Sequence, residues 1–131
     1  MAYKLLVVDD DHDVTEILVK RLSREGYEVT AAFDGDEALI KASQVVPDVV
    51  LLDLVMPKMN GFEVLKALRE KFTEQWIPVI IISAQTDLDS LKKAYGLEAD
   101  HYLSKPVAFE KVLEGIETMI SLIPLRIKNK Q

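Results

Sequence analysis

The stretch PDVVLLDLVMPKMNG, residues 47–61, decides the fold. Val49, Val50, Leu51 and Leu52 form an unbroken apolar run, whereas a strand with one wet face would alternate apolar and polar side chains. Both faces of this segment are therefore covered, as they are in the middle of a parallel sheet. Asp53 ends the run, and Pro57 and Gly61 then mark a turn.

Outward from this segment, similar runs recur at Leu5–Val8, Val29–Ala32 and Val79–Ile82, with a weaker one at Tyr102 and Leu103. The stretches between them carry apolar residues at helical spacing. Val14, Ile17, Leu18 and Leu22 make a first stripe, which Gly26 stops. Asp34 and Glu37 have the spacing of a capping box ahead of Ala38, Leu39 and Ala42. Phe62, Leu65, Leu68 and Phe72 mark a third helix. Leu88, Leu91 and Tyr95 mark a short fourth one ending at Gly96. The last stripe runs Phe109, Val112, Leu113, Ile116, Ile120, Ile123. Five βα units in a row predict an α/β three-layer sandwich, doubly wound and flavodoxin-like, with strand order 2-1-3-4-5.

At 131 residues the chain is one domain's worth of protein. We place that domain at 3–123 and read 124–131, which is locally basic, as a C-terminal tail or the start of a helical linker. Asp and Glu number 22 against 16 Lys and Arg, a formal charge of -6. That balance argues against direct nucleic-acid binding, which needs a basic face. With no cysteine, thiolate chemistry and zinc–thiolate sites are excluded. No apolar run is long enough for a membrane span and the N-terminus lacks a signal-peptide pattern, so a cytoplasmic location is expected.

In such folds the functional crevice lies beyond the carboxyl ends of the strands. The predicted topology gathers Asp9, Asp10 and Asp11 there after strand one, Asp53 after strand three, Ser83 and Ala84 after strand four, and Ser104, Lys105 and Pro106 after strand five. Carboxylates packed about 4 Å apart repel by roughly 4 kcal/mol per pair at an effective dielectric near 20. Lys105 supplies one compensating charge and a hard divalent cation the rest. Mg²⁺ suits an all-oxygen ligand set, with Mn²⁺ as a substitute, and neither His nor Cys is offered to a softer metal. Beside such an ion Asp53 can attack phosphorus and form an aspartyl phosphate.

Four segments carry a family resemblance: LLVVDDD at 5–11, DVVLLDLVMPKMNGFEVL at 48–65, PVIIISA at 78–84 and DHYLSKP at 100–106. Together, in this order, they resemble the receiver domain of two-component response regulators over essentially Lys4 to Leu122. The resemblance implies Asp53 as phosphoacceptor, and Asp10, Asp9 and the Val55 backbone carbonyl as further metal ligands. It also implies Lys105 as the conserved lysine, Ser83 and Tyr102 as switch residues, and a cis Lys105–Pro106 bond. A sensor histidine kinase, a phosphotransfer protein or a small acyl phosphate would be the donor. The surface of helix four, strand five and helix five would change shape for a downstream target or an output domain, or for a homodimer. The domain would assist its own phosphorylation and dephosphorylation without being an enzyme in the usual sense. Val55 and Gln85, two residues after Asp53 and Ser83, would flank the hydrolytic water.

Plainer readings compete at single positions. The first acids also suit a helix N-terminus, Asp53 a turn, Ser83 a helix cap and Tyr102 a half-buried strand position. His12 and His101 read as solvated or packing residues and Trp76 as packing at the entrance to strand four. A haloacid-dehalogenase-type phosphohydrolase would need an acid where Val55 stands. A flavodoxin-type carrier would not present three acids to a bare phosphate. A pseudo-receiver would lack one of the acid pair, acceptor or lysine, and all are present.

Overall fold

The computed structural model describes residues 2–130, with the surroundings of side chains through Leu125. Five strands and five helices alternate: β1 Lys4–Val8, α1 His12–Arg24, β2 Glu28–Ala32, α2 Gly35–Val45, β3 Val49–Leu52, α3 Gly61–Lys71, β4 Val79–Ser83, α4 Leu88–Gly96, β5 His101–Ser104 and α5 Phe109–Lys130. The sheet order is β2-β1-β3-β4-β5 and every pairing is parallel. The expected doubly wound order is the one found.

Strand alternation divides the core into two layers. Leu6, Val8, Val50, Leu52 and Ile81 face Ala38 and Ala42 of α2, Val64, Leu65 and Leu68 of α3, and Ala94 of α4. Leu5, Val7, Val49, Leu51 and Ile80 face Leu22 of α1 and Val112, Ile116 and Met119 of α5. Burial of each such Leu, Ile or Val stabilises the fold by roughly 1.5–3 kcal/mol, so the three central strands anchor it. They also carry the site on their carboxyl ends.

The helix ends follow local chemistry. Asp11, Asp34, Asn60 and Asp87 cap α1 to α4, each accepting from amides of the first turn. The α2 capping box is nearly the expected one. Asp34 accepts from Glu37 N at 2.8 Å, but the Glu37 carboxylate reaches back to Phe33 N at 3.0 Å, one residue before the cap. Gly26, with φ of 95°, makes the left-handed turn that ends α1. One feature departs from the sequence pattern: Ile17 is 59% exposed, because α1 is anchored mainly through Thr15 and Leu22. Helix α5 runs on past Ile123 through Pro124 to Lys130, giving up the backbone bond that the proline cannot donate.

Candidate functional site

Asp9 follows β1 and Asp53 follows β3, adjacent strands paired Val8 to Leu52. Pairing continues one residue further, since Asp53 N donates to Val8 O at 2.9 Å and Asp9 N to Ala32 O at 3.2 Å. The two carboxylates therefore leave the sheet side by side, 5% and 7% exposed. Asp10 is exposed at the rim. One carboxylate oxygen from each of Asp9, Asp10 and Asp53 lies within 4.8 Å of the other two.

The acid loop is held from below. Asp9 Oδ1 accepts from Asp11 N at 3.0 Å, and the buried Thr15 hydroxyl donates to the Asp11 carbonyl at 2.8 Å and the Asp9 carbonyl at 3.3 Å. Asp11 itself turns away to cap α1, so only two of the three consecutive acids belong to the site. The loop after β3 is held by contact. A Cβ placed on Gly61 would stand 2.3 Å from the Asp53 carbonyl oxygen, so only glycine lets α3 begin there.

Lys105 completes the cluster from the end of β5. Its ammonium lies 2.8 Å from Asp9 Oδ2 and 3.2 Å from Asp53 Oδ2. The Lys105–Pro106 bond is cis, as the resemblance implies. Burial lifts the Asp53 carboxyl above the usual carboxylate range and Asp9 adds to the rise, while the Val55 N–H at 3.2 Å and Lys105 oppose it. Burial pulls Lys105 down, but Asp9 and Asp53 more than offset this and leave it above its usual value. Three carboxylates against one ammonium leave a charge deficit that a hard divalent cation matches, and the donors are all oxygen. The residues fit Mg²⁺.

Ser83 is fully buried at the end of β4, its oxygen accepting from Gln85 N at 3.2 Å. The Tyr102 hydroxyl donates to the Gln85 carbonyl, tying β5 to the loop ahead of α4. Burial raises the Tyr102 pKa, and a hydrogen bond with Ser83 partly offsets this. Ser83 and Tyr102 are thus neighbours beside the acid cluster. His12 stacks on Phe33 with ring centroids 3.9 Å apart, and His101 packs against Gly115. Trp76 packs at the β4 entrance and donates to Asp100 at 3.0 Å.

The profile of the response regulator receiver domain family matches residues 5–117. The chain belongs to that family. It is 37% identical over 122 residues to the alkaline phosphatase synthesis transcriptional regulatory protein PhoP of Bacillus subtilis, covering 92% of this chain and 49% of that protein. It is also 37% identical over 120 residues to the response regulator MprA of Mycobacterium bovis, covering 92% of this chain and 51% of that one. The receiver thus spans about half the length of these curated relatives. Among solved structures, the chemotaxis protein CheY4 of Vibrio cholerae superposes with a TM-score of 0.86 at 32% identity, covering 91% of this chain and 99% of that one. A CheY-like receiver from Methanospirillum hungatei gives 0.91 at 26% identity, over 96% and 99%. This is a receiver domain of two-component signalling, and no helix among its described residues is long and apolar enough to cross a membrane.

Sequence reasoning missed Thr15 and the Gln85 carbonyl. Thr15 lies within the α1 stripe, four residues after Asp11, where a helical threonine hydroxyl can return to the i−4 carbonyl. That spacing was the available signal. No sequence signal marks a carbonyl acceptor.

Proposed function

We propose that this receiver is a cytoplasmic phosphorylation switch, with Asp53 as phosphoacceptor. A sensor histidine kinase, a phosphotransfer protein or a small acyl phosphate is its donor. The observation that carries this reading is Lys105, which bridges Asp9 and Asp53 across 96 and 52 residues of sequence while Asp10 stands within reach. Isolated acids at strand ends would not recruit a half-buried lysine this way.

Asp9, Asp10, Asp53 and the Val55 carbonyl are the protein groups that hold Mg²⁺ or Mn²⁺. When bound, the ion neutralises surplus carboxylate charge and charge on the transferring phosphoryl oxygens. The remaining steps belong to the chain. An Asp53 oxygen attacks phosphorus as the donor's bond breaks in line with it. Lys105 follows the developing charge, exchanging part of its contact with Asp53 for a phosphoryl oxygen. Ser83 donates its hydroxyl to another oxygen and releases Gln85 N, which loosens the loop that the Tyr102 hydroxyl grips. Tyr102 then moves with Ser83, shifting the population between two arrangements of the α4–β5–α5 surface. On that surface Leu88 and Tyr95 are 63% and 49% exposed and two helical turns apart, an apolar stripe suited to a target protein, an output domain or a second copy. We take 3–123 as the switching unit and 124–131 as its tail or linker.

Intact mass after treatment with acetyl phosphate and Mg²⁺ tests this. The expected gain is one phosphoryl group, about 80 Da, abolished by Asp53→Asn and by EDTA. Labelling that survives Asp53→Asn would reject the assignment.

A further inference from the structure

Between α1 and α5 a half-open groove of about 530 Å³ runs from the site along the two helices, in the size range of small-molecule pockets. Its mouth is Asp9, Asp53 and Lys105, and its walls are chiefly Val14, Ile17, Leu18, Ile82, Phe109 and Val112. The Arg21 guanidinium lies 4.0 Å from the Phe109 ring centroid and spans the gap between the helices. From Val14 to Arg21 the groove follows α1 for about 10 Å at 1.5 Å per residue. Ile17, 59% exposed, forms part of a wall that the protein itself leaves uncovered.

The geometry points to this groove as the seat for the organic half of a small phosphodonor, so that the receiver prefers acyl phosphates with an aliphatic chain over acetyl phosphate. This rests on Asp53 being the phosphoacceptor. Lys105, 2.8 Å from Asp9 and 3.2 Å from Asp53, and a cation held by the acids act on the phosphate of every donor alike. Donors differ in the organic half, and acetyl phosphate has almost no apolar surface to lay in the groove. A chain of about six carbons lying along Val14, Ile17 and Leu18 does, and each half-buried methylene lowers the concentration needed by about twofold. Transfer then balances simply. The Asp53 oxygen–phosphorus bond forms, the phosphorus–oxygen bond to the acyl group breaks, and the carboxylate departs with the bonding pair and needs no proton.

The test compares Asp53 labelling against concentration of acetyl phosphate and of hexanoyl phosphate, with Mg²⁺ saturating, by intact mass. Hexanoyl phosphate, with four more methylenes, is expected to half-saturate at about fifteenfold lower concentration. Ile17→Ser, at an exposed position that tolerates polarity, should reduce that ratio to about threefold or less. A metal-free arm uses methyl NMR: hexanamide, a neutral mimic of the chain, should shift Ile17, Leu18 and Val112 methyl signals where acetamide does not. Equal half-saturation for the two donors, or methyl signals that ignore hexanamide, overturns the inference while acetyl phosphate labelling leaves the phosphoacceptor reading standing. Failure of both donors to label Asp53 overturns both.

Discussion

Asp53→Asn should make the metal-free protein more stable, although it removes a salt-bridge partner. Lys105 at 3.2 Å attracts the Asp53 carboxylate by about 5 kcal/mol at an effective dielectric of 20. Asp9 and Asp10, with oxygens within 4.8 Å, repel it by at least about 3.5 kcal/mol each, which we halve for the exposed Asp10. Attraction and repulsion nearly cancel, so the burial penalty of the ion decides the sign. The upward shift of the Asp53 pKa reports the same sum. Asparagine keeps an acceptor for Val55 N and carries no charge, for a net gain of about 1–2 kcal/mol. For 131 residues this is roughly 4–7 °C in melting temperature. Because the folded pKa lies above the unfolded one, wild-type stability is complete below the ordinary carboxylate pKa and declines as pH rises through the folded value. The gap between variant and wild type should therefore open with pH. Thermal and urea melts in EDTA, at an acidic and a neutral pH, measure it. With Mg²⁺ at a hundredfold excess over its Kd, wild type should gain about 2.7 kcal/mol and the variant less, reversing the order. A metal-free variant that melts below wild type at neutral pH would refute the reasoning.

Lys105→Met leaves two buried carboxylates without their cation, and should cost about 3 kcal/mol in EDTA urea melts, a loss that Mg²⁺ shrinks. A cost unaffected by Mg²⁺ would detach Lys105 from the metal cluster. Gly61→Ala forces a Cβ against the Asp53 carbonyl, so a loss of about 3 kcal/mol and slower Asp53 labelling are expected, read by melts and intact mass. At exposed Val55, Val55→Asn should change stability by under about 0.5 kcal/mol yet shorten the aspartyl-phosphate lifetime, because an amide can orient the hydrolytic water that valine cannot. Decay no faster than wild type, followed by intact mass after donor removal, would remove that role.

What the sequence disclosed and what it withheld divide along a physical line. Strands β1, β3 and β4 were readable because burial on both faces demands continuous apolar residues, and their order was the doubly wound, flavodoxin-like one natural to five successive βα units. Asp9, Asp10, Asp53 and Lys105 were readable because charges at the ends of buried strands are costly unless they meet. The groove was not readable. The stripe Val14, Ile17, Leu18, Leu22 has the same period whether every member is buried or one side of it is left open, since period fixes a face and not the distance to the next helix. That distance is set by Thr15 and Leu22, which seat α1 on β1 through a hydroxyl and a leucine while Ile17 stays 59% exposed. The Tyr102–Gln85 bond was hidden for a related reason, because a carbonyl acceptor has no residue type to betray it. Charges and apolar runs are written in the sequence; the gaps between packed elements and the backbone acceptors are properties of the assembled fold. The groove beside Asp53 is of that second kind.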